Sequence, residues 1–358
     1  MTDPSDRPTP YLVVDRDVLD RNVAAMAVSA RDRGLALRPH AKTHKCGEIA
    51  RRQLAAGAAG LTVATVAEAE IFADAGCGDI FVAYPLWADR ARGMRLRALA
   101  EHCAVRVGVD SVEGAEQLAR HGGRGAVEVL VEIDSGQHRT GVAPEAAGEV
   151  AMAAGRAGLL VRGVFTFPGH SYGPGRAAGA ARDEERALGR AAAAVRSAGI
   201  PIDVISGGST PTAARTTAAA ATELRPGVYV FGDAQQWELG TCKVADVALT
   251  VAATVVSRPA PRQIVLDAGS KVLGADRPPW TSGFGRLPDE PAAQIIALSE
   301  HHATVAWSGP TARPALGDVL RVMPNHVCTA VNLADDLTVV AGATVVDRWP
   351  VIARGANT

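Results

Sequence analysis

The stretch GLTVATVAEAEIFADAGCGDIFVAY, Gly60 to Tyr84, holds the fold in miniature. Its ends, GLTVAT (60–65) and DIFVAY (79–84), are short apolar runs rich in β-type residues. The segment VAEAEIFADAG between them has helical character and closes on a glycine, as helices commonly do. Strand, helix and strand at these lengths predict parallel pairing through a crossover helix. The same rhythm runs outward on both sides. Further strands are predicted at LALRPHAK (35–42), AVRVGVD (104–110), VEVLVEID (127–134), LVRGVFTF (160–167), DVISGG (203–208) and GVYVF (227–231). Helical stretches such as CGEIARRQLAAG and SVEGAEQLARHGG lie between most of them. Eight such units in about 200 residues is the count of a (β/α)8, or TIM, barrel. A doubly wound open sheet is the rival, but it more often has a glycine-rich phosphate turn after its first strand. RPHAKTHK (38–45) has none.

After residue 240 the texture changes. KVADVALTVAATVVS, RQIVLDAGS, IIALSE, ATVAW, DVLRVMP and LTVVAGATVVDRWPV are β-rich and separated by turn residues. They predict a second, mainly antiparallel β domain. The expected organisation is a disordered terminus over 1–10 and a strand and helix over 11–34 that start in the β domain and lead into the barrel. The barrel is expected over 35–239 and the β domain over 240–358. The fold class is therefore α/β: a barrel with an added β domain.

The 358 residues are 47% hydrophobic, enough for a sizeable core. Charged residues make up 21% and the net charge is -1, so electrostatics offers no case for nucleic acid or an anionic membrane. Five cysteines without a CxxC pattern favour a reducing compartment. No apolar run approaches a membrane span, and MTDPSDRPTP lacks the apolar core of a signal peptide. The expectation is a cytoplasmic protein.

Barrel chemistry sits at the C-terminal ends of the strands. Strand one ends at His40, Lys42, His44 and Lys45; strand five at Asp134, His138 and Arg139; strand six at His170 and Tyr172. A lysine at a barrel mouth beside other cations is suited to act as a free amine, and a surface lysine is the plainer account of Lys42. SGGSTPT (206–212) runs glycines and hydroxyls into a helix start. It reads as an anion site or as a simple N-cap with proline near N1. The neighbouring RPG turn of strand eight favours phosphate, because late barrel loops often hold one. A lysine and a phosphate loop together suggest pyridoxal phosphate. In PNHVCTAVN (324–332), His326 and Cys328 stand at i and i+2 on a predicted strand and share a face. Imidazole and thiolate suit zinc, yet a buried cysteine beside a hydrogen-bonded histidine explains so short a motif as well.

Taken together, the motifs TPYLVVD, RPHAKTHK, EIDSGQHRTGV, GHSYG, GGSTPT, ELRPGVYVFGDAQQ, LDAGSK, LSEHH and PNHVC resemble one family in order. It is the D-serine dehydratase and D-threonine aldolase group of the alanine-racemase-like, fold-type III pyridoxal phosphate enzymes. The resemblance runs from about Thr9 to the C-terminus. It implies a homodimer with a D-amino acid substrate. It also implies that Lys42 binds the cofactor aldehyde and that His40 and Lys45 shape its surroundings. Arg139 falls near the phenolic oxygen and Tyr172 contacts the cofactor. Gly208, Ser209, Thr210, Gly227 and Tyr229 fall where the phosphate is held, and Arg225 faces the pyridine nitrogen. His326 and Cys328 become the metal pair, for Zn2+ or another divalent ion such as Mn2+, which overturns the plainer account of H-x-C. The thiolate favours β-elimination of a hydroxyl, as in a D-serine dehydratase. LDAGSK, with Lys271, is closer to the bacterial aldolase branch. A racemase would need a second base and no metal, and a non-catalytic cofactor-binding protein would tend to lack residues 240–358.

Overall fold

A computed structural model of the chain describes residues 7–308 and 311–358. The chain divides into two compact units. One takes in the chain up to Ala24, Thr43–Glu48 and Val228–Gly355. The other takes in Ala25–Lys42, Ile49–Gly227 and Ala356–Thr358. The expected boundary at 239/240 therefore differs from the observed division at 227/228. Of the terminus expected to be disordered, residues 1–6 lie outside the described residues. Arg7 is anchored, donating to Asp336 at 2.7 Å and Thr338 at 2.6 Å.

Strand β1 (Tyr11–Asp15) and helix α1 (Arg16–Asp32) come first. The barrel unit follows with β2 (Ala36–Leu37), β3 (Leu61–Val63), β4 (Asp79–Pro85) and β5 (Ala104–Val109). It continues with β6 (Glu128–Glu132), β7 (Leu160–Phe165), β8 (Val204–Gly207) and β9 (Glu223–Leu224). Its strands lie in the order β2-β9-β8-β7-β6-β5-β4-β3, and every neighbouring pair is parallel. A parallel bridge between His40 and Thr62 joins the two edges, so the sheet curls back on itself. The helices are α2 (Gly47–Ala55), α3 (Val66–Asp74), α4 (Arg90–Ala100), α5 (Val112–Gly122), α6 (Ala147–Arg156) and α7 (Ala177–Ser197). Local caps set their starts. Thr65, Asp89 and Ser111 accept from the backbone N–H three residues on, at the heads of α3, α4 and α5.

Two strand expectations need correction. LALRPHAK contributes only two strand residues and the His40 bridge, because the chain turns into a 3-10 helix at Ala41–Thr43. GVYVF is not the eighth strand. Val228–Val230 is a 3-10 turn, with Phe231 and Gly232 N–H returning to the Val228 carbonyl. The eighth strand is Glu223–Leu224. A short apolar run buried all round looks the same in either conformation, so periodicity does not separate them.

The barrel interior is layered. Near the strand N-termini, Arg38 donates to Glu223 and Asp79, each at 2.7 Å, and Arg106 donates to Glu128 at 2.7 Å. Asp79, Glu128 and Glu223 are the first residues of β4, β6 and β9, so these charges form a belt at that mouth. Burial opposes the charge on Arg38, but the carboxylates of Glu223 and Asp79 outweigh it and raise its pKa. Above lies an apolar layer of Phe81, Leu130 and Phe165. The two rings meet edge to face at 4.9 Å.

The β unit holds β10 (Leu249–Ala260), β11 (Gln263–Leu266), β12 (Gln294–Leu298), β13 (Ala303–Ala306), β14 (Val319–Val322), β15 (Asp336–Ala341) and β16 (Thr344–Pro350). Three short helices accompany them: α8 (Ala234–Glu238), α9 (Ser270–Leu273) and α10 (Val327–Leu333). Its order is β12-β13-β11-β10-β1-β15-β16, with β14 also paired to β10. The pairs are antiparallel except β1 with β15. Among the described residues no helix is long and apolar enough to cross a membrane.

Candidate active site

The 3-10 turn after the His40 bridge presents Lys42, which is half-buried. Its Nζ lies 5.9 Å from the centre of the Phe167 ring. The Arg139 guanidinium lies 5.5 Å from the same ring, and Tyr172 packs 6.1 Å from it at a 40° tilt. Three residues from distant parts of the sequence therefore gather on one aromatic side chain just beyond β7. The ring face attracts cations, so Phe167 holds Lys42 and Arg139 close without neutralising either. His40 is fixed in the same unit, its backbone N–H donating to the Pro226 carbonyl at 3.0 Å.

Asp134 shapes the loop that carries Arg139. Its Oδ1 accepts from the backbone N–H groups of Gly136 at 2.8 Å and His138 at 3.0 Å, and its Oδ2 lies 2.6 Å from His138 Nδ1. Burial works against the charge on Asp134, but these donors prevail and hold its pKa below the ordinary value. His138 is thereby held at φ 56°, a conformation a non-glycine residue seldom takes. Arg139 is exposed at the end of this turn.

Beyond β8 the loop Gly208, Ser209 and Thr210 is buried. Gly208 has φ 86°, and a Cβ there would come 2.8 Å from Leu224 Cδ2, so both conformation and space ask for glycine. Ser209 Oγ lies 2.9 Å from Ser171 Oγ and 3.1 Å from Thr212 Oγ1, which leaves a cluster of buried hydroxyls at the loop. Arg225 is buried beneath. It donates to Ser206 Oγ at 2.8 Å and to the Thr166 carbonyl, and stacks on Phe165 at 5.2 Å and Phe81 at 5.5 Å. Burial pushes its pKa down. Gly227 ends this unit at half burial.

Two carboxyls of this unit were absent from the sequence-based site. Glu132 ends β6, accepts from Thr140 Oγ1 at 3.0 Å and keeps Oε2 buried without a hydrogen bond. Burial raises its pKa to about 7 against the pull of Thr140, Arg225 and Arg139. Glu184 on α7 is likewise raised to about 7 by burial, although the Gly208 N–H, Arg225 and Thr212 favour its charged form. Both glutamates sit in ordinary-looking strand and helix sequence, so only burial marks them.

In the β unit, Tyr229 is buried in the Val228–Val230 turn. His326 and Cys328 are not on a strand as expected. His326 caps the N-terminus of α10, and Cys328 lies in its first turn. The reason is Asp233, whose Oδ2 accepts the Val327 N–H at 3.2 Å and starts the helix from elsewhere in the chain. The two side chains nevertheless meet. Cys328 is the largest cause of a His326 pKa well above the ordinary value, outweighing burial, with Asp233 adding to it. Asp233 Oδ2 lies 3.4 Å from His326 Nδ1 and is fully buried. Cys328 Sγ donates to Thr43 Oγ1 at 3.3 Å. Among the described residues no group of three or more His, Cys, Asp or Glu could hold a metal, so the pair stands alone.

The model described as "Alanine racemase, N-terminal domain" matches residues 14–235, more than half of the chain. The one described as "Putative serine dehydratase domain" matches 248–340. The chain belongs to the alanine-racemase-like family. Among its family relatives, a D-threo-3-hydroxyaspartate dehydratase of Delftia sp. (strain HT23) is 37% identical over 347 residues, covering 89% of this chain and 90% of that protein. A D-threonine aldolase of Arthrobacter sp. is 36% identical over 359 residues, covering 97% and 93%. A solved D-threo-3-hydroxyaspartate dehydratase, a cysteine-to-alanine variant in metal-free form, superposes with a TM-score of 0.90 at 32% identity, covering 98% and 99%. Another solved form of a so-named enzyme replaces a histidine two positions earlier. With these relatives, the chain is a pyridoxal-phosphate-dependent lyase of D-amino acids.

The residues present fit the cofactor. An amine, a cation and a phenol share one ring, a buried glycine and hydroxyl loop stands ready for an anion, and a desolvated guanidinium lies beneath. His326 and Cys328 offer an imidazole and a thiol, with Asp233 Oδ2 3.4 Å from the imidazole Nδ1, donor types that bind soft divalent metals in general.

Proposed function

We propose that this chain is a dehydratase of D-3-hydroxy amino acids, most like D-serine dehydratase, yielding a keto acid and ammonia. The observation that carries the reading is the placement of His326 and Cys328 together at the start of α10, with Asp233 Oδ2 3.4 Å from His326 Nδ1. The histidine and the cysteine replaced in two solved structures named D-threo-3-hydroxyaspartate dehydratase are two positions apart, as His326 and Cys328 are, and the cysteine variant is described in a metal-free form.

Lys42 would hold pyridoxal phosphate, with Arg139, Tyr172 and His40 around it, and Gly208, Ser209, Thr210 and Gly227 would hold its phosphate. The bound cofactor supplies an aldehyde for the substrate amine and a ring that takes up electrons from the α-carbon. Lys42 Nζ would act as the base that takes the α-proton of the substrate. Arg139 shares the Phe167 ring with Lys42. Arg225, a buried cation held by Ser206 and the Thr166 carbonyl, would favour an unprotonated pyridine nitrogen on a cofactor that it faces. His326 and Cys328 would hold a divalent ion, Zn2+ or Mn2+, which supplies Lewis acidity at the β-hydroxyl, a poor leaving group by itself.

A second reading is D-threonine aldolase. The Arthrobacter relative covers nearly the whole chain at similar identity, and Lys271 of LDAGSK is present, paired with Glu300 at 2.8 Å. Incubation of the purified protein with D-threonine, pyridoxal phosphate and zinc separates the two. The expected products are 2-oxobutyrate and ammonia. Glycine and acetaldehyde would replace the proposal with the aldolase.

A further inference from the structure

Glu184 reaches from α7 to the back of the SGGSTPT loop. One carboxyl oxygen, Oε1, accepts from the Gly208 N–H. The other, Oε2, is buried without a hydrogen-bond partner, and the residue is 2% exposed. A Cβ at Gly207 would lie 2.4 Å from Oε1, so the first glycine of the pair makes room for this carboxyl. The helix side chain thus fixes the backbone at the point where the loop begins.

An ionised carboxyl here keeps Oε2 buried without a hydrogen bond, and the Gly208 N–H, Arg225 and Thr212 only partly offset the cost of burial. A phosphate dianion on the same loop would add repulsion. Other charges nearby do not offset this. On the elements packed against α7, Glu145 pairs with Arg190, His170 lies 3.4 Å from Asp183, and Arg162 pairs with Glu128 and Asp203. Glu149 and Arg156 of α6 are exposed. Arg182, Glu185 and Arg215 border with Glu184 a cavity of about 160 Å³. The cation that acts on Glu184 is Arg225, itself buried and shared with Glu223 and Glu132. Adding a proton to Glu184 removes the repulsion and retains the carbonyl oxygen that accepts from Gly208.

We propose that Glu184 is a positioning residue for the phosphate loop and takes up a proton when the cofactor phosphate binds. This rests on reading Gly208–Thr210 as the phosphate loop. Burial pushes the carboxyl up to about 7 against the Gly208 N–H, Arg225 and Thr212, so well above neutral pH the proton is supplied during binding. The phosphate itself, with its second pKa near 6, is already a dianion there.

The test titrates the full-length apoprotein with pyridoxine 5′-phosphate, which has no aldehyde and so does not react with Lys42. Pyridoxine, lacking the phosphate, is the control. Binding is followed calorimetrically from pH 7 to 9 in buffers of different ionisation enthalpy, for wild type, Glu184→Gln and Glu184→Ala. Wild type is expected to take up close to one proton at pH 8 and to weaken at least tenfold from pH 7 to pH 9. Glu184→Gln, which keeps the acceptor, is expected to take up none and to change less than threefold. Glu184→Ala is expected to lose at least tenfold in affinity for the phosphate ligand at pH 7 and little for pyridoxine. Identical proton uptake in wild type and Glu184→Gln would overturn the coupling. Unchanged phosphate affinity in Glu184→Ala would overturn the positioning role. A wild type that binds both ligands equally would instead remove the phosphate-loop reading itself.

Discussion

Phe167 organises the candidate site, drawing Lys42, Arg139 and Tyr172 to one ring. The three were legible in the sequence because an amine, a guanidinium and a phenol each suggest chemistry. The phenylalanine was not, since an aromatic at a strand end is usually packing. Glu132 was missed for a similar reason, and its burial has a thermodynamic consequence. Its folded pKa of about 7 is above that of a free glutamate. Between about pH 4.5 and 7 the folded chain keeps a proton that the unfolded chain has released, so stability falls as pH rises through this window. Glu132→Gln removes the titration and retains an acceptor for Thr140. It is therefore expected to be more stable than wild type at pH 8, by up to about 3 kcal/mol, with a smaller gain at pH 5. Urea unfolding of the two apoproteins at both values checks this; an equal gain at the two would contradict it.

At the scale of elements, the barrel strands are short and their register depends on close backbone approaches. Gly163 in β7 shows how close: a Cβ there would lie 1.7 Å from the Val204 carbonyl oxygen of β8. That oxygen is backbone and cannot swing aside. Gly163→Ala is expected to destabilise the fold by about 3 kcal/mol, at the upper end of overpacking costs, seen as a lower urea midpoint. A loss under 0.5 kcal/mol would mean that β7 and β8 separate freely. The helix α10 teaches the converse lesson. H-x-C read as a strand because i and i+2 share a strand face, but the Asp233 carboxylate 94 positions from Val327 starts a helix there. His326 and Cys328 came together by a helix turn rather than a pleat, and local sequence carries no mark of a cap supplied from so far away.

At the scale of the whole molecule, the alternation of strand and helix located seven of the eight barrel strands near their observed places. The eighth was displaced to GVYVF because that buried apolar run, a 3-10 turn in the fold, has the composition of a strand, whereas the strand itself is Glu223–Leu224. The belt at the strand N-termini is equally global, since Arg38, Asp79 and Glu223 meet only once the sheet has curled. Arg38→Ala removes the ion-pair partner of the buried Glu223, which keeps only the Ser206 hydroxyl and the nearby Arg225, and is expected to cost about 3 kcal/mol, measured by denaturant unfolding. Arg38→Met with Glu223→Leu is expected to recover most of that loss, whereas equal instability of the double variant would argue against a charge effect. The sequence by itself determined what depends on local pattern and residue chemistry: an α/β barrel, an added β region, a lysine among histidines at a strand end, a glycine-hydroxyl loop and a histidine two positions before a cysteine. Tertiary structure alone decided that Phe167 gathers the site, that Asp233 turns H-x-C into a helix start, and that Glu132 and Glu184 lie buried with raised pKa values. Those outcomes depend on solvent exclusion and on contacts between distant residues, and neither quantity exists until the chain has folded.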